Sequence, residues 1–326
     1  MGNPSDGYFG KTISFAFSNF YAEVVLYETP ELEILASEKD LSCFSSIDAL
    51  VTDVRLHGYY GGIRLLKATV KKFHDYCREN QIDLHHKNFT IRYSSNIPHG
   101  VGLAGSSAII TACLRALMAF YGVSVPKYVQ ANLVLAAESD ELHIPAGLQD
   151  RVIQVYEGVV FMDFAKEIMT RQGYGSYEPL DPKLLPRLYI AYRDDLSEPT
   201  EKFHSNLRQR FDQGEQKVVN AMRFWAELTD KARHCLLNGQ LDKVGGLLNA
   251  GFDKRRQIYR IASDNIRMVE AARSTGASAT FTGSGGAIVG DYADERMFTE
   301  LRKTLRKLDI MVIKPHIVPG TGNAKA

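Results

Sequence analysis

Apolar positions recur at helical spacing in the middle of the chain and alternate in the shorter segments around it. Between residues 63 and 80, Leu66, Val70 and Phe73 follow the period of a helix. Residues 106–121 are apolar around most of the helical circumference, which predicts a helix buried on nearly all sides. The same patterns predict strands over residues 12–20, 21–27, 89–93, 152–163 and 187–192, and further helices over 127–142, 203–228 and 265–274.

Strands and helices follow one another without a regular strand–helix–strand repeat, which favours an α+β fold over a doubly wound sheet. At 326 residues the chain exceeds the size of a single ordinary core, so we expect two domains. The boundary is predicted at the densest run of helix and strand breakers, which gives domains 1–178 and 179–326. The second domain is predicted to end with a strand, a glycine-rich turn, a helix and a strand. The breakers in that run are Gly173, Gly175, Pro179, Pro182 and Pro186.

Composition narrows the classes of function. Hydrophobic residues make up 45% of the chain and charged residues 24%, with a net charge of +1, so no large electrostatic surface for nucleic acid or an anionic membrane is expected. No apolar run approaches a membrane span, and we expect no signal peptide. The four cysteines form no CxxC pair and are expected to be reduced thiols of a cytoplasmic protein: Cys43, Cys77, Cys113 and Cys235. We expect a small-molecule substrate, and the oligomeric state is left open.

A glycine-rich segment at residues 98–108, PHGVGLAGSSA, follows a predicted strand and opens the apolar helix. Glycines let the backbone approach an anion, and the first amides of a helix face it, so the segment is suited to phosphate. A serine-capped glycine turn with no ligand explains the same residues. Residues 100–105 also match the dinucleotide pattern G-x-G-x-x-G, which leaves a nicotinamide oxidoreductase as an alternative. No acidic residue follows about 20 positions later to hold a ribose.

The spacing P-x-x-x-G-L-x-G-S-S-A at residues 98–108 resembles the ATP-binding signature of the GHMP kinases. Residues 282–287, TGSGGA, resemble the third glycine motif of that family. Residues 147–150, GLQD, resemble the segment that carries the catalytic aspartate in its galactokinase-like members. The resemblance implies an N-terminal domain like domain 2 of ribosomal protein S5 and a ferredoxin-like C-terminal domain.

Four further segments resemble the glucuronokinase branch of the family: residues 2–14, 58–62, 146–151 and 281–286. This resemblance implies an ATP-dependent kinase that phosphorylates the anomeric hydroxyl of a uronic acid, D-glucuronate first. A galacturonate 1-kinase and a heptose phosphate kinase are alternatives within the family. A binding protein that has the same fold but no catalytic activity is a further alternative.

The resemblance also implies roles for individual residues. Asp150 is expected to act as the base, and Ser107 with Glu138, twelve residues before Asp150, as the Mg²⁺ ligands. A surface aspartate that caps a turn and a solvated helix glutamate are the plainer interpretations of the two carboxylates. Val134 and Leu142 flank Glu138 at helical spacing, which indicates a face that is not fully solvated. The expected ATP-binding residues are Pro98, Gly100, Gly102, Leu103, Ala104, Gly105, Ser106, Ser107 and Ala108.

On the sugar side, Asp6 is expected to accept a hydroxyl, although a Pro-Ser-Asp-Gly turn explains it equally well without the family. A uronate carboxylate requires a cation, and Lys11, Arg64 and Arg151 lie in or near the resembling segments. The basic run 254–256 is interpreted as a solvated helix face. The expected sugar-binding residues are Asn3, Asp6, Tyr8, Lys11, Arg151, Gly283, Ser284 and Gly285.

The chain departs from the family at its start. GHMP kinases have a strand ahead of the segment that resembles residues 2–6, and in galactokinase-like members this strand carries an arginine. Met1 directly precedes Gly2 here. We therefore expect the natural protein to begin several residues earlier.

Overall fold

The computed structural model describes residues 1–37, 40, 61–144, 146–193 and 207–320. The strands are β1 (Lys11–Phe15), β2 (Ala22–Thr29), β3 (Glu33–Ile34), β4 (Asn88–Ser95), β5 (Val159–Asp163), β6 (Ser176–Leu180), β7 (Leu188–Tyr192), β8 (Thr280–Phe281), β9 (Ala287–Asp291) and β10 (Met311–Ile313). The α-helices that lie wholly within the described residues are α1 (Gly62–Glu79), α2 (Gly105–Tyr121), α3 (Lys127–Ala136), α4 (Gln149–Tyr156), α5 (Lys166–Gln172), α6 (Gln216–Leu237), α7 (Val244–Ile258), α8 (Ser263–Arg273) and α9 (Glu295–Arg306).

The chain divides into two units. The larger unit consists of Met1–Asn19, Pro98–Leu103 and Gly147–Ala326, and the smaller unit of Phe20–Ile97 and Ala104–Ala146. Both units mix helices with sheet, and the predicted α+β class is confirmed. The expected boundary between residues 178 and 179 lies within the larger of these two discontinuous units, and it stays a prediction.

In the smaller unit, β4 lies between antiparallel β2 and parallel β3. Helix α2 packs against both α1 and β2. Five successive residues near its start, 107–111, are buried, whereas its second half has an exposed face that includes Arg115 and Ala119, so only the first half is buried as fully as predicted. After α3 the chain makes one turn of π-helix, Ala137–Glu141, which is followed by the end of this unit.

The larger unit contains two antiparallel sheets, β1-β5-β6 and β10-β7-β9-β8. Numbered in chain order, the four strands of the second sheet lie in the spatial order 4-1-3-2 across the sheet, and helices follow the first and third strands along the chain. This is the ferredoxin-like arrangement, and the predicted fold of the second half is confirmed. Its core joins α7, α8 and α9 to the sheet through buried residues such as Tyr189, Phe252, Met268 and Leu301.

Three details of the predicted elements were wrong. Residues 152–163 are not one strand, because residues 152–156 belong to α4 and only Val159–Asp163 is extended. The predicted helix over 203–228 is interrupted by a turn at 213–215, and its residues 203–206 lie outside the described residues. The predicted glycine turn near the C-terminus leads into a further strand, β9, before the helix.

The described helices include none that is both long enough and apolar enough to cross a bilayer. Cys77, Cys113 and Cys235 are buried thiols, and Cys43 lies outside the described residues. Burial raises the pKa of the Cys113 thiol to about 12, because the apolar surroundings disfavour the thiolate.

Candidate active site

The glycine-rich segment forms an accessible turn that leads into α2. Gly100 and Gly102 have φ values of 71° and 67°, and Ala104, directly before α2, has a φ of 58°. This left-handed backbone is natural for glycine and uncommon for alanine. Pro98 and Leu103 are partly exposed in the larger unit. In the smaller unit, Ala104, Gly105 and Ser106 are also partly exposed, whereas Ser107 and Ala108 are buried in the helix.

Two buried oxygen-bearing side chains meet in the smaller unit, one turn into α2. The Oγ of Ser107 donates a hydrogen bond to Oε2 of Glu138 at 3.4 Å. Glu138 lies in the π-helical turn and is only 2% exposed. The plainer interpretation of a solvated helix glutamate is therefore wrong. A buried carboxylate and a hydroxyl are hard oxygen donors of the kind that Mg²⁺ prefers. Within the described ranges no three His, Cys, Asp or Glu side chains converge on a metal position, and Mg²⁺ does not need so many protein ligands.

The first and third glycine motifs lie backbone to backbone within the larger unit. The Oγ1 of Thr282 donates to the carbonyl of Gly102 at 3.0 Å. A Cβ placed on Gly102 would lie 3.0 Å from the amide nitrogen of Ser284 and 3.3 Å from Cα of Gly283. Gly285 is buried beside them. A side chain at Gly102 would require the facing main chain to shift, so the two segments constrain each other.

Asp6 joins the opening segment to the start of α4. Its Oδ2 accepts hydrogen bonds from the backbone amides of Leu148 at 2.7 Å and Gln149 at 3.1 Å. The carboxylate is buried, and it satisfies amides that the first turn of a helix otherwise leaves without partners. A Cβ on Gly147 would lie 2.5 Å from the same oxygen. Asp6 therefore caps a helix that lies 142 residues away in sequence.

Asp150 and Arg151 occupy the first turn of α4, directly after the amides that Asp6 binds. The side chain of Asp150 is 38% exposed, so its carboxylate is accessible to a ligand. The guanidinium of Arg151 is buried and donates to the carbonyl of Gly147 at 2.6 Å. It also lies 3.8 Å from Oδ2 of Asp150. An accessible carboxylate is a group that can accept a proton from a bound hydroxyl.

Lys11 and Tyr8, two of the expected sugar-binding residues, have other neighbours. The Nζ of Lys11 lies 2.8 Å from Asp230 and 3.5 Å from Asp163. Partial burial alone would lower the pKa of Lys11, but the hydrogen bond to Asp230 and the charges of both aspartates raise it. The ring of Tyr8 packs in a buried cluster, 4.9 Å from the ring of Phe211. Burial raises the pKa of Tyr8 to about 12. Their sugar-binding roles stay predictions.

Arg255 is a residue that the sequence analysis missed. The run 254–256 was interpreted as a solvated face, yet Arg255 is only 3% exposed. One guanidinium nitrogen donates to the carbonyl of Gly283 at 2.6 Å, and the other donates to the side-chain oxygen of Asn3. A signal was present, because Arg255 falls in helical phase with the buried residues Leu248 and Phe252.

Comparisons with known proteins identify similar sequences and folds. Residues 64–158 match the family described as GHMP kinases N terminal domain. Glucuronokinase 1 of Arabidopsis thaliana is 46% identical over 295 residues, covering 89% of this chain and 81% of the relative. Probable glucuronokinase 2 of the same plant is 47% identical over 296 residues, with 89% and 80% covered. The structure of Lactococcus lactis galactokinase complexed with galactose superposes with a TM-score of 0.76 at 14% identity, covering 98% and 91% of the two chains.

The galactokinase likeness concerns the fold alone, whereas the plant relatives match in sequence across most of both chains. An identity of 46% over that length, together with the matched N-terminal domain, is far more than a chance similarity of short motifs would give. The chain belongs to the GHMP kinase family, and within it to the glucuronokinases.

Proposed function

We propose that the protein transfers the γ-phosphoryl group of ATP to the anomeric hydroxyl of D-glucuronate, with D-glucuronate 1-phosphate and ADP as products. The observation that carries the proposal is the 46% identity to a protein named glucuronokinase over most of both chains. The reaction needs little covalent chemistry from the protein. Positioning, charge stabilisation and removal of one proton are sufficient.

The phosphates of ATP are assigned to the glycine-rich segment and the start of α2. The left-handed backbone at Gly102 and Ala104 leads the chain into α2, so the first amides of the helix lie directly after this turn. Amides at a helix N-terminus attract anions through hydrogen bonds and the helix dipole. Ser107 and Glu138 are proposed to hold Mg²⁺, which when bound offsets the negative charge of the phosphate oxygens.

Asp150 is proposed as the base. Its carboxylate accepts the proton of the anomeric hydroxyl while the hydroxyl oxygen bonds to the γ-phosphorus, and the bond from that phosphorus to the ADP oxygen breaks. The nearby guanidinium of Arg151 favours the ionised carboxylate, which must be unprotonated to accept this proton. After transfer, the proton leaves Asp150 to solvent, to which the side chain is open.

The sugar is assigned to the opening segment and the start of α4. Two amides hold Asp6 through Oδ2, and its other oxygen, Oδ1, is proposed to accept a hydrogen bond from a sugar hydroxyl. Arg151 is preferred over Lys11 as the cation for the uronate carboxylate, because it lies in the first turn of α4 beside the proposed base Asp150, whereas Lys11 pairs with Asp230 and Asp163. Asn3 and residues 283–285 complete the proposed sugar contacts. The buried thiols are compatible with the proposed cytoplasmic location.

A substrate panel tests the proposal. The protein is incubated with ATP and Mg²⁺ and with glucuronate, galacturonate, glucose or a heptose phosphate, and sugar 1-phosphate is followed by phosphorus NMR. We expect the highest kcat/KM with glucuronate, and almost no product from any sugar with Asp150→Asn. A higher kcat/KM with galacturonate would transfer the assignment to that sugar. Turnover of glucose but not of uronates would overturn the assignment to a uronic acid.

A further inference from the structure

Arg255 connects two segments that lie far apart in sequence. Its two terminal nitrogens donate to the backbone carbonyl of Gly283, 28 residues away, and to the side chain of Asn3, 252 residues away. Both acceptors are neutral oxygens that belong to segments resembling the glucuronokinase motifs. One guanidinium thus joins the opening segment to the third glycine motif.

The surroundings of Arg255 hold its side chain in one orientation. The guanidinium carbon lies 5.4 Å from the ring centre of Phe281 and 5.8 Å from that of Tyr259. Aromatic rings stabilise a guanidinium over their faces, and its planar shape lets it donate in two directions at once. A lysine ammonium at this position carries the same charge but lacks the planar fork, so it is a poor replacement at such a site.

The third glycine motif is held from a second side as well. The side-chain oxygen of Asn265, itself buried, accepts a hydrogen bond from the amide of Gly286 at 3.0 Å. A Cβ on Gly285 would lie 3.2 Å from the amide nitrogen of the same asparagine. Arg255 and Asn265 therefore hold opposite ends of this turn, and Arg255 also reaches the opening segment.

We propose that Arg255 is a positioning residue for the sugar substrate: it fixes Asn3 and the carbonyl of Gly283 relative to one another and so determines the shape of the glucuronate site. This inference rests on the proposed function. A misplacement of about 1 Å in a site that positions reacting groups costs about 100-fold in rate. The residue acts through Asn3 and Gly283 and takes no part in the phosphoryl transfer itself.

Steady-state kinetics of three variants test the proposal. Arg255→Gln removes the charge and the fork, Arg255→Lys retains the charge alone, and Arg256→Gln is the matched control. Arg256 is exposed on the same helix and pairs with Glu270. We expect Arg255→Gln to lower kcat/KM for glucuronate about 100-fold, mainly through a higher KM for glucuronate and with less change in the KM for ATP. Arg255→Lys is expected to fall between it and wild type, and Arg256→Gln to match wild type.

A double variant separates positioning from a general structural role. If Arg255 acts through Asn3, then Asn3→Ala combined with Arg255→Gln will be little worse than Arg255→Gln alone, because the two residues act as one unit. Multiplicative losses would overturn the inference. So would a fall in kcat with an unchanged KM for glucuronate, since that result indicates only a smaller folded fraction.

Hydrogen exchange gives a readout that does not depend on turnover. We expect faster amide exchange in both residues 2–8 and residues 282–287 of Arg255→Gln, and wild-type exchange in Arg256→Gln. Unchanged exchange in either segment would overturn the inference even if the wild-type protein turned over no uronate. Suppose that wild type phosphorylates no uronate but that amide exchange in both segments is faster in Arg255→Gln. The proposed function is then wrong, whereas the structural connection that Arg255 makes between the two segments is supported.

Discussion

Replacing Gly147 by alanine will disturb the proposed sugar site without removing any polar group. Gly147 has no left-handed backbone, so alanine can adopt its conformation. The new Cβ, however, would lie 2.5 Å from Oδ2 of Asp6. That oxygen is buried and accepts two amide hydrogen bonds, so it cannot swing aside as an exposed side chain does. Either Asp6 or the start of α4 must move.

The distances determine how large the effect will be. Oδ2 must retreat by about 0.9 Å to reach the 3.4 Å of an ordinary van der Waals contact. A displacement of this size in a positioned group lowers kcat/KM by about 100-fold. It also weakens two hydrogen bonds to a carboxylate, each worth about 1.5 to 3 kcal/mol when lost completely. We therefore expect the free energy of unfolding to fall by about 2 kcal/mol.

Coupled ADP release, measured over ranges of glucuronate and ATP, checks the activity of Gly147→Ala, and urea unfolding checks its stability. Gly246→Ala is the control, because this exposed glycine lies in α7 and, apart from its chain neighbours and the adjacent helix backbone, no atom lies within 4 Å of its Cβ position. The control is expected to retain activity and to gain about 0.5 to 1 kcal/mol in stability. Wild-type kinetics and stability in Gly147→Ala would refute the argument that Asp6 is fixed by the amides of α4.

Four further outcomes are expected. Asp150→Asn will lower kcat by at least about 100-fold, with the KM for ATP unchanged, because the anomeric proton loses its acceptor. Glu138→Gln will raise the Mg²⁺ concentration for half-maximal rate by about 10-fold, as a Mg²⁺ titration of the rate will measure. Arg151→Met will raise the KM for glucuronate by about 10- to 100-fold, whereas Lys11→Met will leave it unchanged and lower the unfolding free energy by up to about 1 kcal/mol. Cys113 will resist alkylation at about pH 8 in the folded protein and react after unfolding, as labelling and mass spectrometry will report, because burial raises its pKa.

Local patterning was sufficient to place most of the elements. The bounds of α1, α2 and β4 agree with the predicted ones to within two residues, because each presents a clear apolar period. The region 152–163 failed for a local reason. Val152, Ile153 and Val155 are β-branched and favour a strand by propensity, but the structure buries them on a helix. That helix begins where Asp6 caps it, and a cap 142 residues away cannot be inferred from the residues near α4.

In the candidate site, too, features that depend on neighbouring residues could be predicted, whereas contacts between distant residues could not. The structure brings Ser107 and Glu138 together, but their role as Mg²⁺ ligands, which came from family resemblance and not from spacing alone, stays a prediction. The burial of Glu138 was indicated by its apolar neighbours at helical spacing. Arg255 was missed because basic residues stand on either side of it, and the charge of the run hid the helical phase that buries its central member. The two partners of Arg255 could not be identified, since no short-range pattern encodes contacts across 252 residues.

The backbone contact between Gly102 and Gly283 makes the residues tolerated at one position depend on the other, although the two are far apart in the sequence. A methyl group on either residue would press on the main chain of the other, at 3.3 Å from Cα of Gly283 or 3.0 Å from the carbonyl oxygen of Gly102. Main chain yields far less readily than a side chain, so neither position can accept a larger residue while the other stays where it is. A substitution at Gly283 is therefore expected to displace Gly102 and to weaken ATP binding. The same steric constraint limits which residues evolution can accept at both positions.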